Sequence, residues 1–276
     1  MTPPQDQRSA SRASNRELVF ESFGVVAAVS AGSAQALAEV ETVLPPGWCA
    51  HAGEPSVRFE LDGSGRVRQD GVEYFHAQVG RDEPLARLAA LVRHKLAELA
   101  PDHAFIHAGV VVVGGSAVVV PGTSQSGKTT LVRALIERGA LYASDEYAVV
   151  DRNGLIHPYP KPLTVRIAGV SRLGVPVPTP PERTLATPVT AGLVLITSYK
   201  PGGAWEPVER SAAEGAIALL ENTVGARPRP AQSLAAVGAL TRTARVLVGH
   251  RGEADETADA LLAWLESEPT SRTGKA

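Results

Sequence analysis

The chain has 276 residues, of which 44% are hydrophobic and 20% are charged, proportions typical of a globular protein with one large or two modest domains. Its 27 Lys and Arg residues against 29 Asp and Glu residues give a formal net charge of −2. No basic excess predicts binding to nucleic acid or to an anionic membrane surface, and the absence of a long apolar run predicts no membrane span.

The cysteine content and the first residues predict where the protein is found. Cys49 is the single cysteine and cannot form an internal disulfide, so we expect a packed thiol in a reducing compartment. Residues 1–15 are polar and lack the apolar middle of a signal peptide, which predicts a disordered arm. We therefore expect a cytoplasmic protein.

Residues 16–100 are predicted to form a small α+β domain. Two apolar runs around Gly24 indicate paired strands, and helical spacing over 34–43 ends at Pro45. Strands on either side of the turn at 62–65 indicate a hairpin, and another strand is expected over 72–79. An amphipathic helix beginning near residue 83 is ended by Pro101. This region has no catalytic constellation, and we expect a scaffold, with substrate recognition or oligomerisation as the alternative role.

Residues 104–266 are predicted to form a second domain, followed by a tail over 267–276. Strands are expected over 105–113 and 116–121, then a glycine-rich loop and a helix that ends near Gly139. An extended segment over 140–150 and a turn over 151–154 follow. The remaining expectations are an extended segment over 157–166, a proline-rich loop over 175–188, strands over 192–198 and 244–248, and helices over 212–222, 234–240 and 254–265.

The glycine-rich loop fits the phosphate-loop pattern G-x-x-x-x-G-K-[ST], with Gly122, Gly127, Lys128 and Thr129 in the fixed positions. A buried strand before the loop and a helix after it are the context that this chemistry needs, because backbone N–H groups and the helix N-terminus then point at the phosphates. Lys128 is expected to reach the phosphates and Thr129 to ligate Mg²⁺. The other residues expected to bind the nucleotide are Thr123, Ser124, Gln125, Ser126 and Thr130.

Polar residues near this loop are further candidates for chemistry. The Asp145-Glu146 pair lies downstream, where carboxylates can bind Mg²⁺ or accept a proton, although a solvated charge pair is the alternative. His107 lies in an apolar strand, where a histidine with satisfied hydrogen bonds in the core is equally expected. Arg166 can stabilise charge on a transferring phosphoryl group, although surface arginines usually form ion pairs.

The run from His107 to Arg166 resembles the catalytic domain of the HPr kinase/phosphorylase family and of its smaller homologues, including the kinases encoded with lasso-peptide precursors. That family has a histidine before an apolar run, a glycine-rich turn, the phosphate loop and an acidic pair. Here the same order is given by His107, the turn at 114–115, the loop at 122–129 and the pair at 145–146. The resemblance implies an α/β fold with a P-loop kinase domain of the HPr kinase/PEP carboxykinase type.

The resemblance also implies roles for single residues. Asp145 would accept the proton of the acceptor serine hydroxyl, and His107 would tune its protonation. Glu146 would help to hold the metal together with Thr129, and Asp145 is a further candidate ligand. Lys128 would bridge the phosphates.

At and beyond the Asp145-Glu146 pair, the sequence departs from that of the bifunctional members of the family. Arg166 corresponds to a basic residue downstream of the pair. The pair is Asp-Glu where the bifunctional enzymes have Asp-Asp, and the glycine-rich segment that they associate with phosphorolysis is not found here. We therefore do not expect the reverse, dephosphorylating reaction. The N-terminal region does not resemble that of the bifunctional enzymes either, so HPr itself is not expected as the substrate.

The residues and the resemblance together predict a kinase that uses ATP and Mg²⁺ to phosphorylate a hydroxyl, with a serine of a peptide or protein as the acceptor. One alternative is a nucleotide-binding regulatory or assembly module without phosphotransfer. Another is a simple P-loop hydrolase of ATP or GTP. The family tendency to form rings makes a homo-oligomer a further expectation, and neither nucleic acid nor membrane is an expected partner.

Overall fold

The computed structural model describes residues 16–74, 83–122, 127–165, 175–177 and 179–267. The expected arm over 1–15, most of the expected strand over 72–79, residues Thr123 to Ser126 of the loop, Arg166 and the tail from residue 268 lie outside these ranges. The chain divides into two compact units, the first ending at Pro101 and the second beginning at Asp102.

The first unit contains one sheet, whose strands lie in the order β3 (Cys49–Ala50), β1 (Glu17–Ser22), β2 (Val25–Ala31), β4 (Val57–Leu61), β5 (Val67–Gln69) and β6 (Val72–Glu73). The predicted strand pair around Gly24, the hairpin over 57–69 and both helices are confirmed. Pro84 begins the second helix, where the fixed φ of proline is already helical and its missing N–H is not needed. The two helices of this unit are α1 (Ala34–Glu41) and α2 (Pro84–Leu99).

The expectation that Cys49 is a packed thiol is wrong. Cys49 lies in β3, a two-residue strand at the edge of the sheet, and both residues of that strand are exposed. An edge strand is paired along one side only, and the Cys49 thiol contacts Glu21 instead of an apolar core. Nothing in the sequence marked these two residues as a strand.

The second unit contains the elements that follow. Its strands are β7 (His103–Val113), β8 (Ser116–Pro121), β9 (Leu141–Ser144), β10 (Tyr147–Asp151), β11 (Leu155–His157), β12 (Leu163–Val165), β13 (Val175–Val177), β14 (Val189–Tyr199), β15 (Val208–Arg210), β16 (Thr223–Val224) and β17 (Arg245–Arg251). Its helices are α3 (Lys128–Glu137), α4 (Ala212–Glu221), α5 (Pro230–Thr243) and α6 (Ala254–Ser267), with a 3₁₀ turn at Pro181–Arg183.

The main sheet of this unit is mixed, with the strand order β11-β10-β7-β8-β14-β17-β15. Strands β8, β14 and β17 run parallel to one another, whereas β7 pairs antiparallel with β8, β9, β10 and β16. The prediction of an α/β fold is confirmed at this level. Among the described residues, no helix combines the length and apolar character needed to cross a bilayer.

Helices cover both faces of this sheet and bury two separate cores. On one face, α3 and α6 pack against Val118, Val120, Leu193, Leu195 and Leu247. On the other face, side chains of α4 and α5 pack against the alternate residues of the same strands. Because α3 begins at the end of the predicted phosphate loop, its packing on the first face fixes the position of Lys128 and Thr129 relative to the sheet.

Two segments differ from their predicted form. The extended segment expected over 140–150 is divided into β9 and β10, which both pair with β7. The proline-rich loop expected over 175–188 contains the short strand β13, paired with β12. The partner of β9 and β10 is at least about 30 residues away in sequence, so local patterns could not show that pairing, whereas β13 pairs with a strand only ten residues before it and was hidden by the prolines around it.

The position of α3 depends on the apolar side chains that it buries, and Leu135 is one of them with 0% exposure. We expect Leu135→Ala to lower the free energy of unfolding by about 2–5 kcal/mol, because the substitution leaves a cavity in a packed core. Urea denaturation measures this change. Leu234→Ala removes the same atoms from a site that is 57% exposed and should change the free energy by less than about 0.5 kcal/mol. Equal effects of the two substitutions would contradict the packing of α3.

Candidate active site

The predicted phosphate loop lies between β8 and α3, so the expected strand before it and the expected helix after it are confirmed. The amide of Gly122 donates a hydrogen bond to the carbonyl of His107 over 3.1 Å, which ties the start of the loop to β7. Gly127 ends the loop at φ +79°, a left-handed conformation that favours glycine. The ammonium of Lys128 donates to the carbonyl of Gly122 over 2.6 Å, so its side chain reaches back across the loop. Thr130 lies exposed in the first turn of α3.

The Asp145-Glu146 pair lies in the turn between β9 and β10. The hydroxyl of Ser144, which is buried, accepts hydrogen bonds from the backbone N–H groups of Glu146 and Tyr147 over 3.2 and 3.0 Å. The amide of Ala108 in β7 donates to the carbonyl of Glu146 over 3.3 Å. These bonds hold the turn against the middle of β7 and fix the direction of both acidic side chains.

A hydrogen bond joins this acidic turn to the phosphate-loop helix. The hydroxyl of Thr129 donates to Oδ2 of Asp145 over 2.8 Å. The other oxygen, Asp145 Oδ1, is buried and has no hydrogen-bond partner among the described residues. The structure therefore brings a carboxylate oxygen that retains acceptor capacity to the N-terminal end of α3.

Gly109 allows this close approach of α3 to β7. A Cβ atom at Gly109 would lie 2.5 Å from Val132 Cγ2, 3.8 Å from Lys128 Cβ and 3.9 Å from Asp145 Oδ1. The first distance is shorter than any ordinary carbon contact, so a side chain here would push α3 away from the strand. The glycine that follows His107 by two residues thus makes room for the site.

Burial raises the pKa of Asp145 to about 6, although the hydrogen bond from Thr129 and the charges of Lys161 and Lys128 act in the opposite direction. Burial also lowers the pKa of Lys128, and the charge of Asp145 partly offsets this. Lys161 forms an ion pair with Glu146, with 3.3 Å between Nζ and Oε2. The site therefore holds two cations and two carboxyl groups in a partly desolvated space.

The structure does not test the predicted roles of His107, Arg166 and the loop residues 123–126. His107 is half-buried, and its ring lies 4.8 Å from the ring of Tyr147, centroid to centroid. Its effect on the protonation of Asp145 stays a prediction. Arg166 and the loop residues 123–126 lie outside the described residues, so their roles also stay predictions.

Sequence reasoning missed Lys161. The residue follows the acidic pair within a proline-rich run, and its contact with the pair depends on how that run is anchored. Tyr159 donates its backbone N–H to the carbonyl of Ala143 over 3.0 Å, and the hydroxyl of Tyr142 donates to the carbonyl of Lys161. The only local sign that Lys161 could contact the acidic pair was its position between two prolines downstream of that pair.

Sequence reasoning also missed Arg251 at the end of β17. Its Nη2 donates to the carbonyl of Gly127 over 3.0 Å, and only 3% of the residue is exposed. A Cβ atom at Gly127 would lie 2.1 Å from this nitrogen, so the arginine packs directly on the last glycine of the loop. More than 120 residues separate the two in sequence, and no local pattern links them.

Comparisons with known proteins give little support for a family assignment. No protein-family model matches the sequence, and no curated protein matches it. A solved structure described as the HPr(Ser) kinase/phosphatase from Coxiella burnetii aligns with 59% of this chain and 95% of its own, with 15% identical residues and a TM-score of 0.32. At that identity and TM-score, the similarity assigns no function to the chain.

The raised pKa of Asp145 predicts how stability depends on pH without bound ions. Its folded pKa of about 6 lies above the unfolded value of about 3.9, so the folded state holds the proton more tightly. This contribution to stability is complete below about pH 4 and is lost as the pH rises through 6. Asparagine does not titrate and can still accept the bond from Thr129.

We therefore expect the stability of Asp145→Asn relative to the wild type to rise by about 1–3 kcal/mol between pH 4 and pH 7. Urea denaturation over this range in EDTA measures the difference. A difference that does not change with pH would show that the carboxyl group is not buried as described.

Proposed function

We propose that this chain is an ATP- and Mg²⁺-dependent kinase that transfers the γ-phosphate to a hydroxyl group, with a serine of a peptide or protein as the acceptor. The observation that carries the proposal is the hydrogen bond of 2.8 Å between Thr129 and Asp145. It brings a carboxylate to the point where a phosphate-loop helix begins, and a proton acceptor is needed there for transfer to a hydroxyl.

The donor set fits a magnesium ion bound together with a nucleotide. Across the described residues, no group of three or more His, Cys, Asp or Glu side chains is arranged to hold a metal ion by itself. Magnesium at nucleotide sites uses one or two carboxylates and completes its shell with phosphate and water oxygens. Thr129, Asp145 and Glu146 supply oxygen ligands of this kind, and Asp145 Oδ1 has acceptor capacity to spare. When bound, the ion would neutralise charge on the phosphates.

The basic residues supply the electrostatic part of the proposed reaction. Lys128 extends over the loop toward Gly122 and can turn to the β- and γ-phosphates when they occupy the loop. Lys161 stands beside the acidic pair and offsets its charge. Both ammonium groups are thus near the place where negative charge develops during transfer, and such preorganised charge is the main source of catalysis in phosphoryl transfer.

Asp145 performs the proton transfer in this proposal. The acceptor hydroxyl oxygen forms a bond to the γ-phosphorus while the bond from that phosphorus to the β–γ bridging oxygen breaks, and ADP leaves. The hydroxyl proton passes to a carboxylate oxygen of Asp145. The phosphoserine product keeps the γ-phosphoryl group, so no further reactant is required.

The other predictions about the protein remain proposals. We propose that residues 16–100 form a scaffold domain and residues 104–266 a kinase domain, and that the protein is cytoplasmic and self-associates. The lone thiol Cys49 supports a reducing compartment, because an exposed free cysteine persists there without oxidation. The net charge of −2 gives no support for nucleic acid or anionic membranes as partners.

The proposed role of Asp145 is tested with γ-³²P-ATP and a degenerate library of serine-containing peptides. We expect Asp145→Asn to lower the rate of transfer at least about 100-fold, because the proton acceptor is removed. Its affinity for ATP should stay within a few-fold of the wild type. Lys128→Ala is the comparison variant and should weaken ATP binding itself.

Other outcomes of this experiment would contradict the proposal in identifiable ways. Equal loss of transfer and of ATP binding in Asp145→Asn would make the residue structural or solely a metal ligand. Release of free phosphate without labelled peptide would indicate a hydrolase. Tight ATP binding without turnover would indicate a nucleotide-binding module.

A further inference from the structure

The three parallel strands of the second unit end at one edge of the sheet. β8 leads directly into the phosphate loop, β14 ends at Tyr199 and β17 ends at Arg251. Tyr199 and Arg251 are paired in register across the two strands. Ligands of open α/β sheets bind outside the carboxyl ends of the strands, so this edge is where a nucleotide held by the loop would extend.

The alternation of side chains along β14 and β17 places Tyr199 and Arg251 on the face of the sheet that α3 covers. Leu193 and Leu195 of β14 and Leu247 of β17 belong to the core beneath α3 and α6. Side chains alternate between the faces of a sheet, so Tyr199 and Arg251 share the face of these leucines. They therefore lie on the same side of the sheet as the phosphate loop.

A third polar side chain, that of Thr197, lies on this face of the sheet near the start of the predicted phosphate loop. Thr197 precedes Tyr199 by two residues and shares its face. The register between β14 and β8, in which Val194 pairs with Val119, brings Thr197 level with Gly122 when it is continued by three residues. The Thr197 hydroxyl oxygen is buried and has no hydrogen-bond partner within the described ranges.

Arg251 connects the ring of Tyr199 to the phosphate loop. Its Nη2 donates to the carbonyl of Gly127 over 3.0 Å, and its Cζ lies over the Tyr199 ring, 5.5 Å from the centroid. The hydroxyl of Tyr199 donates to Oε1 of Glu253 over 2.7 Å. The ring is thus fixed from one face and from its hydroxyl, and a single guanidinium group separates it from the loop.

We propose that Tyr199 forms the surface on which the base of the bound nucleotide stacks. The guanidinium of Arg251 covers one face of the ring, while 48% of the residue remains exposed. A nucleobase is a flat π system that gains affinity by stacking on an aromatic ring. This inference rests on the proposed function, because it assigns the nucleoside end of the same nucleotide whose phosphates the loop would bind.

The test compares ATP with inorganic tripolyphosphate, which carries the phosphates without the nucleoside. Calorimetric titration in Mg²⁺ measures both affinities for the wild type, Tyr199→Ala and Tyr199→Phe. We expect Tyr199→Ala to weaken ATP binding at least about fivefold, because the stacking surface is lost, and to change tripolyphosphate binding by less than about twofold. Tyr199→Phe keeps the ring and should bind ATP within about threefold of the wild type.

A matched control and the remaining outcomes make the result decisive. Ile217→Ala truncates an exposed apolar side chain on α4 and should change neither affinity. Unchanged ATP binding by Tyr199→Ala would overturn the stacking role while leaving the proposed kinase intact. Equal loss of ATP and tripolyphosphate binding would also overturn it, since the residue would then act through the loop. A wild type that binds neither compound would overturn the proposed function itself.

Discussion

The hydrogen bond from Thr129 to Asp145 is the contact on which the proposed site depends. Thr129 lies in the first turn of the helix after the phosphate loop, and Asp145 lies in a turn between two strands that both pair with β7. Gly109 lets the helix approach β7 closely enough for the bond to form. Without this contact the chain would hold a phosphate loop and an acidic turn as separate features.

Buried groups of both charge signs surround this bond. Asp145 is desolvated and its pKa is raised, while burial lowers the pKa of Lys128. Arg251 adds a buried cation at the carbonyl of Gly127, next to the positive end of α3. In the proposed function, phosphate oxygens would meet these cations and a divalent ion would meet the carboxylates.

Local patterns in the sequence predicted most elements, including the strand before and the helix after the expected phosphate loop, because strand, turn and helix signals act over a few residues. They also selected Lys128, Thr129 and Asp145, which the structure brings together. They did not predict that Lys161 or Arg251 would join the site. Those contacts depend on a proline-rich run anchored to β9 and on the parallel pairing of β17, both of which are long-range.

The most direct measurement is a double-mutant cycle on the free energy of unfolding, with Thr129→Val, Asp145→Ala and the double variant measured in urea without divalent ions. The described contact predicts a coupling of about 1–2 kcal/mol, because a hydroxyl then donates to a partly buried carboxyl group. Additive effects of the two substitutions would contradict it. Asp145 would then point away from the phosphate loop, and transfer to a hydroxyl at this site would fail.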